Sequence, residues 1–591
     1  MFIRENLKTG DPPIFDGRRM VRLRQGRRVA ATTRRQIVTS SRSLRVLILC
    51  FAALAVVAAP VSAFEINNDV VQNGKVLVKG SPIHGGNGLA FDQDDRLYIA
   101  SVLGREIVVM DPSTGKILDR LGPDLGVETP DDLTFGPAGN LFWTAIFTGE
   151  VGRLSPDGVK TTVGVVAPGV NPITFSDDGR LFVAHDFFGF SGLYEIDPSG
   201  INPPVELDPN FYNLNAFDFG PDGLLYGPIF QERIIKIDVD SGPPPLWFEN
   251  VLDPFASAAV KFDTQGRLHA LNVDRVVRID PGTGEIEVVS EIEPGLDNLA
   301  FDSRGNLYVS SFVNGTIFRI LPSGQPRVLS GGGMIAPGGV AVLPRPHGGE
   351  SVFVADTFSF REFNGRTGQP GVHEEVFGSA GTVAAHGENL VVSSWFNSAV
   401  EFRDGETLHL IDGPFVFNLP SNAIAFGDDI AVAELATGSV VRGDHTPIAI
   451  GLFVPTGLAA IEDDLFVADW AMGEVYQIVD DGAPISPMPV ASGLAFPEGL
   501  AVNLDGSLLV VEAGAGLLSR IDPATGEVTM VAEGLELGLP GPPGYPPYWY
   551  FNGVAVGATG NIFVTGDGAN VLYRFKQHPR YRRMMALHSD D

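Results

Sequence analysis

Apolar and polar residues alternate through 296–320, LDNLAFDSRGNLYVSSFVNGTIFRI, in three short runs. A period of two predicts strands, and the breaks at Asp302-Ser303-Arg304-Gly305 and Asn314-Gly315 carry the residues that tolerate positive φ or bond their own backbone in turns. The unit recurs as x-G-L-A-F-D-x-x-G-x-L-Y-V-A, a gap, then x-I-x-R-I-D-P-x-T-G-E. Its opening apolar positions are Leu89, Leu133, Ile173, Phe217, Val260, Leu299, Val340, Ala384, Ile424, Leu458, Leu500 and Val554. Most intervals are about 40 residues, the length of one four-stranded blade.

Twelve such units exceed the usual four to eight blades of one ring. The pattern predicts an all-β fold of two tandem six-bladed β-propellers, twelve four-stranded blades in total, after an N-terminal signal segment. The expected boundaries are a basic leader and signal peptide over 1–63, a first propeller over 64–323, a second over 324–577, and a short tail over 578–591. A short apolar–polar run at 75–79 precedes the first complete unit, and the last unit has no fourth strand. We therefore expect 75–79 to close the first ring beside 316–320, and 326–330 to close the second beside 571–575, leaving no open seam. One interval is lengthened by a Pro- and aromatic-rich insertion at 538–551, read as a rigid surface or inter-ring loop, or as a lid over a second-ring pocket.

Charge divides the chain in the same place. Residues 1–63 hold 12 Lys and Arg against 3 Asp and Glu, and 46–59 is an unbroken apolar run of 14 residues before Pro60-Val61-Ser62-Ala63. A basic stretch, a short apolar core and small residues at −3 and −1 describe a secretory signal cleaved after Ala63. The expected location is exported, periplasmic or extracellular, with a retained membrane anchor as the alternative. Such a run is short for a bilayer span. The remainder carries 29 basic and 68 acidic residues, a net charge of −39. That disfavours nucleic acid, whose binding depends on cations that displace phosphate counterions. The single cysteine, Cys50, lies inside the apolar run, so the mature chain has neither disulfides nor thiol chemistry. The partners left are a small-molecule substrate or ligand, or another protein, with no membrane insertion after cleavage.

The candidate chemistry sits where each blade's first strand begins. The residue two before each opening apolar position recurs once per blade around the channel mouth. In the first ring these are Asn87, Asp131, Asn171, Asn215, Ala258 and Asp297, with Asn298 beside Asp297. Hard oxygen ligands of mixed carboxylate and amide character suit a divalent cation of the Ca²⁺ type, although Asn and Asp are also ordinary turn residues. The second ring reads Gly338, Thr382, Asn422, Thr456, Glu498 and Asn552, a weaker set. Second strands return to the same mouth and bring His185-Asp186. His185 is a candidate proton shuttle or general base, or a strand-end histidine bonded to a neighbouring loop.

Units such as Asn87-Gly88-Leu89-Ala90-Phe91-Asp92 with Arg96-Leu97-Tyr98-Ile99-Ala100 resemble the gluconolactonase, senescence-marker-protein and paraoxonase superfamily of six-bladed propellers, and NHL-type repeats. The resemblance spans about residues 75–575 as repeats. It implies a metal-dependent lactone or ester hydrolase in which Asn171, Asn215 and the Asp297-Asn298 pair hold Ca²⁺ or another divalent ion, and the once-per-blade pattern adds Asn87 and Asp131 to that set. Asp297, with or without His185, would then be the base for water. Asn87 stands where those enzymes generally carry Glu, with Asp131 as its possible substitute. NHL-type proteins imply the alternative, a non-catalytic binding or scaffold propeller.

Overall fold

The computed structural model describes residues 64–345, 348–542 and 550–579. The leader, its apolar run, the middle of the 538–551 insertion and most of the tail lie outside these residues. The regular structure of the described chain is strand, apart from two single-turn 3₁₀ segments.

Each repeat folds as one antiparallel sheet. Blades one to six span 89–121, 130–165, 170–208, 218–252, 260–291 and 296–330. In blade six, Leu299 pairs with Val309, Leu307 with Ile320 and Phe318 with Val328. The Asp-x-x-Gly turn owes its recurrence to a local bond set. Asp302 Oδ1 accepts the backbone N–H groups of Arg304 and Asn306 at 3.0 and 2.8 Å, and Gly305 takes φ 76°. Asp92 and Asp263 repeat that arrangement.

Blades seven to twelve span 337–380, 382–416, 420–450, 455–492, 497–533 and 554–577. Blade seven has three strands, two of them long (Glu350–Asn364 and Pro370–Ala380), and blade eleven gains Glu65–Ile66 as a fifth. First strands contact their neighbours in two closed cycles of six, blade six returning to blade one and blade twelve to blade seven. At the second closure the backbones nearly touch. A Cβ on Gly553 would lie 2.5 Å from Val340 N and 2.8 Å from Gly339 Cα, so only glycine fits there.

The expected closure is overturned. Val71–Lys79 pairs with Val571–Gln577 and is the outer strand of blade twelve, while Pro326–Ser330 pairs with Ile317–Ile320 as the fourth strand of blade six. The first ring is thus one continuous stretch set into the sequence of the second. Its own closure uses side chains. Ser310 Oγ donates to Asn87 O at 2.6 Å, Ser303 N donates to Asp95 Oδ1 at 2.9 Å, and Phe91 packs on Tyr308 at 4.9 Å between ring centroids. The physical reason is reach. Strand 326–330 follows 317–320 through a tight turn, with Gly324 N bonded to Leu321 O, and pairs locally before any distant edge competes.

Candidate functional site

The first ring's mouth gathers the expected residues. Asn87, Asp131, Asn171, Asn215 and Asn298 are buried, between 2 and 6 % exposed, while Asp297 is half-buried. Asn87 Nδ2 donates to Asp131 Oδ1 at 3.2 Å, Asn171 Nδ2 to Asp186 Oδ2 at 3.3 Å, and Asn298 Nδ2 to Asp132 Oδ1 at 3.2 Å. Two amide oxygens are already used inside the chain: Asn215 Oδ1 accepts Ala216 N–H and Asn298 Oδ1 accepts Leu299 N–H. Two others are left over. Asn87 Oδ1 and Asp186 Oδ1 are buried and accept no hydrogen bond.

Four aspartates share this space. Burial pushes Asp131 well above the usual carboxylate range, and the charges of Asp297, Asp132 and Asp186 push it further. Asp297 is raised to about 7 by burial and then by Asp132 and Asp186. Asp186 is raised to about 7 by burial, against the Asn171 amide. Burial also raises Asp132, against Lys261 and the N–H groups of Leu133 and Ile173. Among the described residues no three Asp, Glu, His or Cys side chains close tightly enough to cage an ion by themselves. An ion here would need the amides as well. Two unpartnered buried oxygens beside carboxylates that repel one another fit an oxygen-seeking divalent cation.

His185 does not fit the role of base. It is 1 % exposed, its Nε2 lies 3.0 Å from Ala167 O and its Nδ1 3.2 Å from Ser191 O. Both nitrogens face carbonyls, which makes His185 a clasp between two loops and leaves neither for a substrate proton. Sequence reasoning missed Asp132 and Lys261, and named Asp186 only as a neighbour of His185. The signal for Asp132 was its adjacency to Asp131, although successive residues on a strand face opposite ways. Lys261 lines the channel below the aspartates, donates to Phe217 O at 3.3 Å, and its charge offsets the burial of both Asp132 and Asp218. Replacing it (Lys261→Met) leaves two buried carboxylates uncompensated. The variant should lose about 2 kcal/mol at neutral pH, discounted because Lys261 keeps contact with the channel. The loss should shrink on acidification, because protonated carboxyls need no counter-charge. Urea unfolding of both proteins at neutral and acidic pH checks this.

The mouth is also roofed. Val102, Leu103 and Ile146 of the first ring cluster with Ile335, Ala336, Leu539 and Tyr550 of the second, flanked by Phe147, Phe187 and Phe312. Antiparallel alternation puts the loops carrying Val102, Ile146, Phe187 and Phe312 at the same end as Asn87 and Asp131. Ala336 and Tyr550 lie just before the first strands of blades seven and twelve, so the two mouths meet. Arg105 Nη1 donates to Gly541 O at 3.1 Å while pairing with Glu128, and Arg361 Nη2 donates to Val313 O at 3.3 Å. The described ends of the 538–551 insertion therefore sit between the rings, at the first ring's mouth. Residues 543–549, on which the lid expectation mainly rests, lie outside the described residues.

The second ring's acids are spent differently. Asp356, midway along blade seven's long second strand, accepts Ile335 and Ala336 N–H; at the ends of the other second strands Glu434 accepts Asn418 N–H, Asp469 Phe453 N–H, Glu512 Ala495 N–H and Asp567 Leu539 N–H. Each carboxylate anchors an incoming loop. Glu498 accepts Asn552 N–H at 2.6 Å and is raised well above its ordinary value by burial and by Asp567.

Comparison with known proteins finds a sequence relative among the lactonases, and solved propellers that align with part of the chain. The lactonase drp35 of Staphylococcus aureus (strain USA300) is 25 % identical over 218 residues, 33 % of this chain and 67 % of that protein. Among solved structures, a gluconolactonase from Xanthomonas campestris aligns with TM-score 0.34 and 16 % identity, over 43 % of this chain and 96 % of its own. The calcium-binding protein regucalcin from Agrobacterium tumefaciens aligns with TM-score 0.32 and 18 % identity, over 40 % and 85 %. A virginiamycin B lyase from Staphylococcus aureus aligns with TM-score 0.34 and 15 % identity, over 48 % and 96 %. No family model matches the chain. Among the described residues no helix is long and apolar enough to cross a membrane.

Proposed function

We propose that the chain is an exported, divalent-metal-dependent lactone or ester hydrolase whose site is the first ring's mouth. The observation that carries this reading is the pair of buried, unpartnered oxygens, Asn87 Oδ1 and Asp186 Oδ1, set among four mutually repelling aspartates. Asn87, Asp131, Asn171, Asp186 and Asp297 would hold the ion, with Asn215 and Asn298 fixing the neighbouring backbone. Bound, a Ca²⁺-type ion supplies Lewis-acid polarisation of a carbonyl. Asp297, alone of the set in keeping partial access, would hold and move the proton of the attacking water. The apolar roof of Leu539, Ile335 and Ala336 would exclude bulk water from the carboxylates.

The roof also favours a second reading. Apart from Asp297 the proposed ligands are 6 % exposed or less and poorly placed for turnover, and in a non-catalytic propeller the ion would brace the mouth against the second ring. One experiment separates the two. Metal-loaded protein is offered a panel of lactones and aryl esters while its melting temperature is followed against a chelated control. Hydrolysis supports the enzyme. Metal-induced stabilisation with no turnover on any member of the panel supports the scaffold, and no metal binding sinks both.

The same carboxyls set a pH dependence for chelated protein. Their folded pKa values lie above the ordinary 3.8, at about 7 for Asp186 and Asp297. The folded state therefore holds protons that the unfolded state releases, and stability falls as pH rises from about 4 through about 7. The melting temperature of chelated protein should decline across that window and saturating Ca²⁺ should flatten the decline. A flat profile without metal would mean the carboxyls are not crowded.

A further inference from the structure

We propose that the loop 187–190 is the recognition rim of the first ring's mouth and binds a neutral aromatic group of the molecule that enters there. The inference rests on the reading of that mouth as the functional site. It starts from Phe187-Phe188-Gly189-Phe190, which directly follows Asp186, the carboxylate with one buried oxygen left over. Phe188 is 41 % exposed and Phe190 47 %. Single exposed aromatics are ordinary, whereas several on one loop beside a polar site mark a binding surface. The surface is continuous with the roof. Phe147 and Phe187 pack against the buried roof cluster. Phe188 packs on Phe147 at 5.3 Å between ring centroids, and Phe230 on Phe187 at 6.3 Å. The apolar roof over the aspartates therefore runs out to solvent at Phe188.

The loop is tied down at both ends. Asp186 N donates to Gly169 O at 3.0 Å, Gly192 N to Phe211 O at 2.7 Å, and Ser191 Oγ to Pro209 O at 2.6 Å. His185 Nδ1 lies 3.2 Å from Ser191 O, and its ring sits 5.9 Å from that of Phe190. The histidine clasp thus acquires a purpose, which is to hold the aromatic rim in place. Phe188 takes φ 63°, a backbone region that bulky residues rarely adopt. Such strain persists where the surroundings over-determine it, and it gathers at ligand clamps. The chemistry of the rim is uniform. Residues 145–149, 187–194 and 209–217 hold no charged side chain, although the chain after residue 63 carries a net −39. An ionised group would find no opposite charge on the rim to offset its desolvation. A neutral aromatic ring finds phenylalanine rings to pack against edge-on or offset.

Two assays on the Ca²⁺-loaded full chain test this. Hydrolysis is followed on γ-butyrolactone and γ-phenyl-γ-butyrolactone, and calorimetric titration uses tetrahydrofuran and 2-phenyltetrahydrofuran, which have no bond to hydrolyse. The phenyl lactone should show a KM at least about tenfold below that of the parent lactone, and the phenyl ether should bind at least about tenfold more tightly than the plain ether. Phe188→Asn and Phe190→Ser should each raise the phenyl KM about tenfold with kcat unchanged, and leave γ-butyrolactone unaltered. Both positions are exposed, asparagine tolerates the Phe188 backbone, and thermal unfolding confirms that each variant is folded. No advantage for the phenyl compounds, or an advantage that survives both substitutions, overturns the rim. Turnover of the parent lactone alongside either result leaves the hydrolase reading standing without it. Phenyl ether bound by the parent chain and lost in both variants, with no turnover of either lactone, supports the rim and removes the hydrolase reading.

Discussion

Removing residues 64–79 opens the second ring and leaves the first closed. Nine residues, Val71–Lys79, form the outer strand of blade twelve, and Val76 faces Tyr573 across that pair. Val70 and Val71 join Tyr573, Phe575, Ile562 and Val564 in one core, where Phe64 packs edge-on against the aromatic side chains of Tyr573 and Phe575, each at 5.5 Å. Deletion strips the backbone partners from Val571–Gln577 and uncovers two buried aromatics, which truncation studies place at about 3–5 kcal/mol each when lost outright. The first ring holds no residue of this segment in any of its six sheets. Limited proteolysis should therefore degrade 337–577 and leave a resistant fragment near 89–330. A synthetic peptide of 64–80 supplied in trans should restore protection to the second ring. Loss of the first ring with retention of the second would restore the closure expected from strand counting alone.

Asp297→Asn should lower lactone hydrolysis at least a hundredfold, within the range of removing a positioned acid–base group, and lower the metal content of purified protein. The same substitution should raise the melting temperature of chelated protein at neutral pH. Asp297 is one of the charges that drive up the Asp131 carboxyl, so a neutral amide there relieves repulsion in a buried cluster. Opposite signs for stability and function distinguish a ligand from a structural residue, whose loss lowers both. Asp131→Asn is the companion, expected to act the same way on both readouts. Unchanged metal content and turnover in the Asp297→Asn protein would remove it from the site.

The metal-type cluster was legible only in part, and the failures share a cause. Asn87, Asp131, Asn171 and Asp297 could be named because a repeat puts equivalent positions at one mouth. What each side chain does there could not be, because that depends on its neighbours in other blades. Asn215 and Asn298 have the same chemistry as Asn87, yet their oxygens are taken by Ala216 and Leu299 N–H groups while Asn87 Oδ1 is left over. His185 read either as a base or as a strand-end histidine bonded to a neighbouring loop, and its sequence position does not choose between them. Two carbonyls, of Ala167 and Ser191, approach it from loops that sequence spacing does not relate.

Sequence alone determined the twelve blades and the six-fold mouths, because alternation, Asp-x-x-Gly turns and repeat spacing are local. Only the tertiary structure decided which ring the N-terminal strand closes, since an edge strand can pair with any open edge of matching length and both last blades offered one. Only the tertiary structure also put the two mouths face to face, roofing the aspartates with Leu539 and Tyr550 from more than 240 residues away. That contact is apolar surface finding apolar surface, a force without direction or sequence register.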